Sequence, residues 1–486
     1  MKYSKLLEKY NTMPYAVKAG FWFTVSSFLQ KTISFVTMPI FTRLLNTEEY
    51  GAVTIFNSWE SIFLLFVTLN VFYGAFNTAM ADFEDERDQY SSSLVGFILL
   101  TSIIGFFIYN VLQVPINKLT GMSYFLTCIM FCQIFFQGIV SIWFARLKFS
   151  YNYIPVTVAT VVLFGLSPIF SIIGIELFPD YKVEAKLIGN LIAYIIVGTY
   201  SFFSLYNKGR SLIASKYWKY AITFSAPLIV HYLASMVLGQ ADRIMISKYI
   251  SDSAAAIYAV AYSVSMILTI LTTSVNQAVV PWLFESIKSN VLFKTKKAIY
   301  ILLLMTVLAL FFVMLFGPEV IKIVATPDYY DACWIIPSLM ASLFFTFVYQ
   351  LFANIEFYFK KNIYIISASI IAAIINIVLN SIFIPIYGYR AAAYTTLVCY
   401  MLFGLFHYIC ARKVAIRQGL EWPFSISVII GFSLLLLLLT GIVLIVYNNS
   451  IMRYCVILFT AIMIIINYRR ILGLIKQIKN KNEYTK

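Results

Sequence analysis

Charged residues are scarce in this sequence, which limits the kind of protein it can encode. Asp, Glu, Lys and Arg make up 12% of the 486 residues, whereas hydrophobic residues make up 61% and the mean hydropathy is +0.85. A soluble protein of this length needs far more polar surface, but lipid solvates apolar side chains directly. The composition therefore excludes an ordinary soluble protein and indicates one embedded in a membrane.

Residues that build metal and nucleotide sites are also few. The chain has two histidines, His231 and His407, and six cysteines that form no CxxC pair. The G-x-x-x-x-G-K-[ST] motif of ATP-binding loops is absent. We therefore expect no catalytic residue, no metal and no cofactor. A coupling ion (H⁺ or Na⁺) or the membrane potential stays open as the source of energy.

Long apolar runs are what the sequence has in abundance. About fourteen runs reach the roughly 20 residues that a spanning helix needs, and together with short loops they occupy nearly the whole chain. We predict an all-α polytopic membrane protein with about 14 transmembrane helices, including continuous spans over 52–80 and 254–283. The first run lacks a small-residue cleavage site, which predicts a retained helix rather than a signal peptide.

The positions of the basic residues predict the orientation. With the N-terminus inside, 26 of the 36 Lys and Arg residues are cytoplasmic, nine are external and one, Lys31, lies within a span. The net charge of +15 thus reflects sidedness rather than nucleic-acid binding. We predict a bacterial cytoplasmic membrane protein with both termini in the cytoplasm. The acidic loop 82–88 fits poorly, but acidic residues weigh little in this rule.

Two similar halves share one register. LNTEEYGAVTIF (45–56) and ISDSAAAIYAVA (250–261) match at an offset of 205, and residues from 179 to 198 match 385 to 404 at an offset of 206. Six spans return the chain to its starting side, so the halves are predicted to be parallel repeats. We predict an N-lobe at 1–206, a cytoplasmic linker at 207–219, a C-lobe at 218–411, and two further helices with a basic tail at 412–486.

Lys31 is the sharpest single feature. A lysine at this depth costs about 2.5–3.5 kcal/mol on insertion scales, so it is not expected to face lipid. Glu60 lies at a similar depth in the next span, within reach of the lysine side chain. Such a pair either locks the two spans together or binds substrate and couples an ion; we favour the second role.

Polar residues follow one face of two further spans. In 254–283 the face carries Tyr258, Tyr262, Ser265, Thr269, Thr272 and Asn276. At the 205 offset Tyr262 corresponds to Asn57 and Ser265 to Glu60. The preceding span carries His231, Asp242 and Arg243. We expect these faces to line one cavity between the lobes, although hydrogen bonding that holds the bundle together is the alternative.

Three segments resemble a known family: MPIFTRLLNTEEYGAVTIFNSW (38–59), ADRIMISKYISDSAAAIYAVAYSV (241–264) and INIVLNSIFIPIYGYRAAAYTTLVCY (375–400). They are similar to the polysaccharide transporters, including the Wzx-type flippases of O-antigen and capsule synthesis, within the multidrug/oligosaccharidyl-lipid/polysaccharide exporter superfamily. The resemblance covers the whole chain in order, and the third segment is the most specific.

The resemblance implies translocation of undecaprenyl-pyrophosphate-linked oligosaccharide from the cytoplasmic to the outer leaflet by alternating access. It implies that cationic residues hold the diphosphate, a role that Lys31, Arg43 and Arg243 match by position. The C-lobe has Met236 at the equivalent of Lys31, which leaves its part in diphosphate binding in doubt. We expect a monomer that contacts membrane lipids and works beside a polysaccharide polymerase and glycosyltransferases, without nucleic acid.

Two rival transporters stay open. A cation-coupled multidrug extruder of the same superfamily would use Glu60, and a lipid II flippase would differ only in its headgroup. A membrane enzyme would need a large external loop with convergent carboxylates, whereas the longest external loops here have about a dozen residues. We therefore expect a transporter rather than an enzyme.

Overall fold

The computed structural model describes residues 12–481, and this part of the chain is helical without strands. Short 3₁₀ turns lie at Glu84–Glu86, Leu292–Thr295 and Pro327–Trp334. The α-helices are α1 (Tyr15–Leu44), α2 (Thr47–Thr68), α3 (Gly74–Asp82), α4 (Arg87–Val111), α5 (Gln113–Thr120), α6 (Tyr124–Phe149), α7 (Tyr153–Leu177), α8 (Lys182–Gly209), α9 (Ser215–Tyr249), α10 (Asp252–Ile267), α11 (Thr269–Lys288), α12 (Lys296–Met314), α13 (Gly317–Val324), α14 (Ile336–Tyr358), α15 (Asn362–Tyr387), α16 (Ala391–Arg417), α17 (Ile426–Val446) and α18 (Ser450–Lys481).

The predicted all-α membrane fold is confirmed, whereas the count of fourteen spans is approximate. Eleven helices within the described residues are long and apolar enough to cross a membrane, or twelve if α10 and α11 form one bent span. Helix α1 is 30 residues long but contains Lys18, Lys31 and Arg43. The basic tail predicted after the last span extends beyond the described residues.

Two predicted spans are not the continuous helices we expected. The span 52–80 is interrupted after α2, because Leu69 and Asn70 adopt left-handed backbone conformations with φ of 48° and 53°. The span 254–283 is bent by about 40° between α10 and α11. Hydropathy does not detect either break, because the residues on both sides are equally apolar.

The chain divides into two compact units, the first ending at Gln240 and the second beginning at Ala241. In the first unit α8 packs against α7 and α6, and α1 packs against α7. In the second unit α14 lies centrally against α16, α11 and α12. The boundary lies inside α9, which continues through it to Tyr249.

Equivalent helix starts occur at the repeat offset. Asn46 caps α2 by accepting a hydrogen bond from the backbone N–H of Glu49, and the backbone N–H of Asn46 donates in turn to the Glu49 carboxylate. Ser251 caps α10 by accepting from the backbone N–H of Ala254. Both caps satisfy amide groups that the first turn leaves unbonded. The two capping residues are 205 positions apart, the offset that the sequence repeat shows.

The acidic loop finds basic and hydroxyl partners at one end of the first unit. Arg146 donates to Asp88, with an N–O distance of 2.9 Å, and Lys216 pairs with Glu86 at 2.6 Å. Tyr217 donates to the same Glu86 carboxylate at 2.9 Å. Asp88 and Glu86, two of the acidic residues that fitted the charge rule poorly, are therefore paired with basic residues at the same end of the bundle.

The segment before α9 lies in close contact with α4. A Cβ atom on Gly96 would come within 1.9 Å of the Leu212 carbonyl oxygen, and one on Gly209 within 2.1 Å of the Asp88 carbonyl oxygen. The Trp218 indole N–H donates to the Ser93 carbonyl at 2.9 Å. Glycine is therefore required at both positions to let the backbones approach.

We predict that Gly96→Ala lowers the free energy of unfolding by about 1–3 kcal/mol, because the added methyl group overpacks the contact with Leu212. The measurement is the thermal unfolding midpoint of the purified protein, together with the rate of limited proteolysis between 207 and 214. Gly165→Ala is the matched control, since a Cβ there meets nothing within 4 Å. Equal midpoints for the two variants would contradict the prediction.

Candidate functional site

A chain of hydrogen-bonded polar side chains crosses the interior of the first unit. The Ser167 hydroxyl donates to the Asn190 Oδ1 at 2.7 Å, and the Asn190 amide donates to the Gln133 Oε1 at 3.1 Å. The Gln133 amide donates in turn to the Glu60 carboxylate at 2.8 Å. Helices α7, α8, α6 and α2 supply one residue each. We call these four residues the Glu60 relay.

Glu60 is enclosed by this arrangement, with 7% of its surface exposed. A carboxylate without donors would be very costly at this depth. Gln133 is itself 1% exposed, and its two amide functions connect Glu60 to Asn190. The relay therefore connects the buried Glu60 carboxylate to Ser167 by hydrogen bonds through the neutral side-chain amides of Gln133 and Asn190.

The predicted contact between Lys31 and Glu60 is absent from the ion pairs of the described residues. Lys31 is exposed on α1, whereas Glu60 is buried and bonded to Gln133 on α6. Helix α2 turns this face toward the interior of the unit, away from the exposed side of α1. Equal depth along two helices did not decide which faces meet.

A cavity of about 260 Å³ lies beside the relay within the first unit. Helices α1, α2, α7 and α8 form its walls, and Asn57 is the predicted site residue that lines it. Its polar lining residues are Ser34, Thr37, Thr54, Asn57, Ser167, Ser171, Lys186 and Asn190. Ser167 and Asn190 thus belong to both the cavity wall and the Glu60 relay.

Lys186 brings a positive charge to this cavity. Its Nζ lies 4.7 Å from the centroid of the Phe41 ring, a cation–π distance. Sequence reasoning counted Lys186 only among external loop residues, because it lies one turn from the start of α8. The helical spacing of Lys186 and Asn190 on α8 was the signal that could have placed it inward.

The second unit holds a carboxylate with four donors. Asp242 is 3% exposed, and its Oδ2 accepts from the Tyr258 hydroxyl at 2.6 Å and the Thr396 hydroxyl at 2.7 Å. Its Oδ1 accepts from the amides of Asn380 at 2.7 Å and Asn376 at 3.2 Å. We call these five residues the Asp242 cluster.

Two further predicted residues lie against this cluster. Arg243 is 9% exposed, and its guanidinium carbon lies 4.1 Å from the centroid of the Tyr262 ring. The Tyr258 and Tyr262 rings are stacked at 6.3 Å. The structure thus brings together the predicted residues Asp242, Arg243, Tyr258 and Tyr262.

Sequence reasoning missed the amide and hydroxyl partners of Asp242. Asn376 and Asn380 are four residues apart on α15, so they share one helix face within an apolar run. Thr396 follows on α16. All three lie in segment 375–400. Polar residues within its apolar runs were the signal that could have identified them.

The remaining predicted residues make other contacts. Arg43 is exposed and donates to the Pro39 carbonyl in its own helix at 2.6 Å. His231 is partly buried next to Tyr232. The Thr269 hydroxyl donates to the Met266 carbonyl, and Asn276 accepts from the Asn354 amide at 2.8 Å.

A buried acid–imidazole pair was also missed. Glu356 on α14 and His407 on α16 are both 0% exposed, and the His407 Nδ1 lies 3.0 Å from a Glu356 oxygen. Asp242, Glu356 and His407 are therefore buried ionisable residues in addition to Glu60. Among the described residues no group of three or more His, Cys, Asp or Glu side chains could hold a metal ion.

Comparisons with known proteins bear on this arrangement. A protein of Haemophilus influenzae described as Lsg locus putative protein 1 is 24% identical over 368 residues, covering 73% of this chain and 88% of that protein. An uncharacterized membrane protein of Methanocaldococcus jannaschii is 24% identical over 459 residues, covering 86% of this chain and 89% of that protein.

Solved structures share the fold. Lipid II flippase MurJ in its inward closed conformation has a TM-score of 0.69 and 17% identity, covering 92% of this chain and 99% of that one. An inward-facing multidrug resistance MATE family transporter of the MOP superfamily has a TM-score of 0.62 and 15% identity, covering 81% and 96%.

The family resemblance that the three segments predict is confirmed. The model of the family described as "Polysaccharide biosynthesis protein" matches residues 16–287, which is more than half of the chain. The chain belongs to the polysaccharide biosynthesis protein family.

Proposed function

We propose that this protein is a flippase. It moves undecaprenyl-pyrophosphate-linked oligosaccharide units from the cytoplasmic to the outer leaflet of the bacterial cytoplasmic membrane by alternating access. The observation that carries the proposal is the family match on a fold shared with a lipid II flippase. The lipid tail stays in the bilayer, while the anionic headgroup needs a polar and cationic path because it cannot cross lipid unassisted.

Lys31 supplies a cation on that path. It lies near the middle of the 30-residue helix α1 and its side chain is exposed in the structure. Exposure to lipid at this depth would cost about 2.5–3.5 kcal/mol. We infer that Lys31 faces a hydrated route and pairs with the diphosphate as the headgroup passes, while Arg43 and Arg243 have supporting roles.

The Asp242 cluster fits a coupling site for a monovalent cation. It offers one carboxylate with two carboxamides and two hydroxyls, each 2.6–3.2 Å from an Asp242 oxygen, and oxygen ligands suit hard cations. In the structure both amide nitrogens face Asp242. Rotation of either carboxamide would turn its oxygen inward, and the assignment of amide oxygen and nitrogen follows the hydrogen-bond network.

A cation-coupled multidrug extruder is the second candidate. The buried carboxylates Glu60 and Asp242 favour it, because both suit ion coupling, and the likeness to a MATE family transporter shows a compatible fold. The family match favours a polysaccharide precursor over a drug. Lipid II remains the closest alternative headgroup.

We predict that Lys31→Ala reduces surface polysaccharide at least tenfold, because the diphosphate loses its counter-charge. The measurement is surface polysaccharide in a deletion strain that expresses the variant, with membrane insertion checked by immunoblot. Lys118→Ala, which removes an exposed charge at a helix end, is the matched control. Normal polysaccharide in the Lys31 variant would remove this residue as the diphosphate anchor.

Glu60→Gln is predicted to abolish the dependence of export on pH or membrane potential, because the side chain keeps its size but loses the group that can exchange a proton. The measurement is transport in vesicles at several pH values and imposed potentials. If the variant transports like the wild type under all these conditions, Glu60 has a structural role only.

Asp242→Asn is predicted to abolish stabilisation by sodium, because the substitution removes the single negative charge of the cluster. The measurement is the thermal unfolding midpoint in sodium chloride and in choline chloride at equal ionic strength. The wild type and Glu60→Gln should be more stable in sodium, whereas Asp242→Asn should not. If the wild-type midpoint is the same in sodium chloride and in choline chloride, the cluster does not bind sodium.

A further inference from the structure

We propose that the cavity in the first unit is a subsite for a monosaccharide that carries a carboxylate group. The cavity is the 260 Å³ space between α1, α2, α7 and α8. The inference rests on the proposed function and names a chemical class of sugar for it. Its argument depends on one cation, a hydroxyl-lined wall and a limited volume.

Lys186 provides the charge that selects an anion. Within the described residues it has no acidic partner, and its Nζ contacts the face of Phe41. A lysine in a partly enclosed cavity binds a carboxylate strongly, because the charge-assisted hydrogen bond is less screened there than in water. Glu60 forms no ion pair with Lys186 among the described residues; its carboxylate accepts from the Gln133 amide instead.

The walls provide partners for sugar hydroxyl groups. The Thr37 hydroxyl donates to the Ser34 carbonyl at 3.1 Å and the Thr54 hydroxyl to the Tyr50 carbonyl at 2.9 Å, so each keeps its oxygen as an acceptor. The Asn57 side chain is exposed at the cavity. Phe164 adds an apolar wall for the C–H face of a ring.

Size and charge exclude larger or more highly charged occupants. The cavity volume of about 260 Å³ suits one monosaccharide rather than a whole repeat unit. A single lysine matches one negative charge, whereas a diphosphate is best bound by several cations or by the fork of an arginine. A carboxylate-bearing sugar fits better than a diphosphate on both counts.

The second unit supports this assignment by comparison. At the 205 offset Thr37 corresponds to Asp242, and at the 206 offset Asn190 corresponds to Thr396. The second unit fills this position with the Asp242 cluster. The first unit has the smaller, uncharged Thr37 there, beside open space and Lys186.

The test is binding of sodium glucuronate to the full-length protein in lipid nanodiscs, measured by the shift of the thermal unfolding midpoint across a concentration series in which sodium chloride keeps total sodium and ionic strength constant. Glucose and pyrophosphate are the comparison probes. We expect glucuronate to bind at least tenfold more tightly than glucose, and Lys186→Met to lose that preference tenfold or more. Lys186→Arg should retain it, and Lys118→Met is the matched surface control.

Two outcomes would overturn the proposal. One is equal glucuronate binding by the wild type and Lys186→Met. The other is Lys186-dependent binding of pyrophosphate in preference to glucuronate, which would make the cavity a diphosphate site. Binding is measured without transport, so the two proposals can fail separately. A protein that binds glucuronate but flips no lipid-linked substrate would contradict the proposed function and still support the subsite.

Discussion

The rest of this structure depends on one constraint. A carboxylate inside a membrane must receive its hydrogen bonds from the protein itself. Lipid offers no hydrogen bonds, so donors must come from neighbouring helices. Asp242 meets this demand with four side chains from three further helices. Glu60 meets it with one direct donor, Gln133, held by Asn190. The helices that supply these donors are thereby fixed in rotation as well as in position.

The two halves use a common frame for different chemistry. Their helix caps at Asn46 and Ser251 keep the repeat register, yet Glu60 is on the second helix of one half and Asp242 is on the first helix of the other. The substitution of Thr37 for the equivalent of Asp242 leaves room where the second unit is filled. One unit has a cavity at this place and the other has a cluster of hydrogen-bonded polar side chains.

Sequence reasoning recovered what depends on local composition. Apolar length predicted the helices, and the matching caps at Asn46 and Ser251 have the same offset as segments 45–56 and 250–261. It failed where the answer depends on which way a helix faces, as with Lys31 and Glu60. It also failed where backbone conformation breaks an apolar run, as at Leu69. It failed again where the partner of a buried charge is a neutral residue, as Gln133 is for Glu60. Those features are set by contacts between distant segments, which one sequence read alone does not contain.

The charges around the acidic loop 82–88 have different effects during membrane insertion and after folding. During insertion, basic residues orient the helices before tertiary contacts form, and acidic residues weigh little. After folding, Arg146 and Lys216 are bonded to Asp88 and Glu86. The finished surface therefore attracts anionic lipid headgroups less strongly than the count of basic residues implies. Part of the positive charge that orients the nascent chain is therefore neutralised by ion pairs in the folded protein.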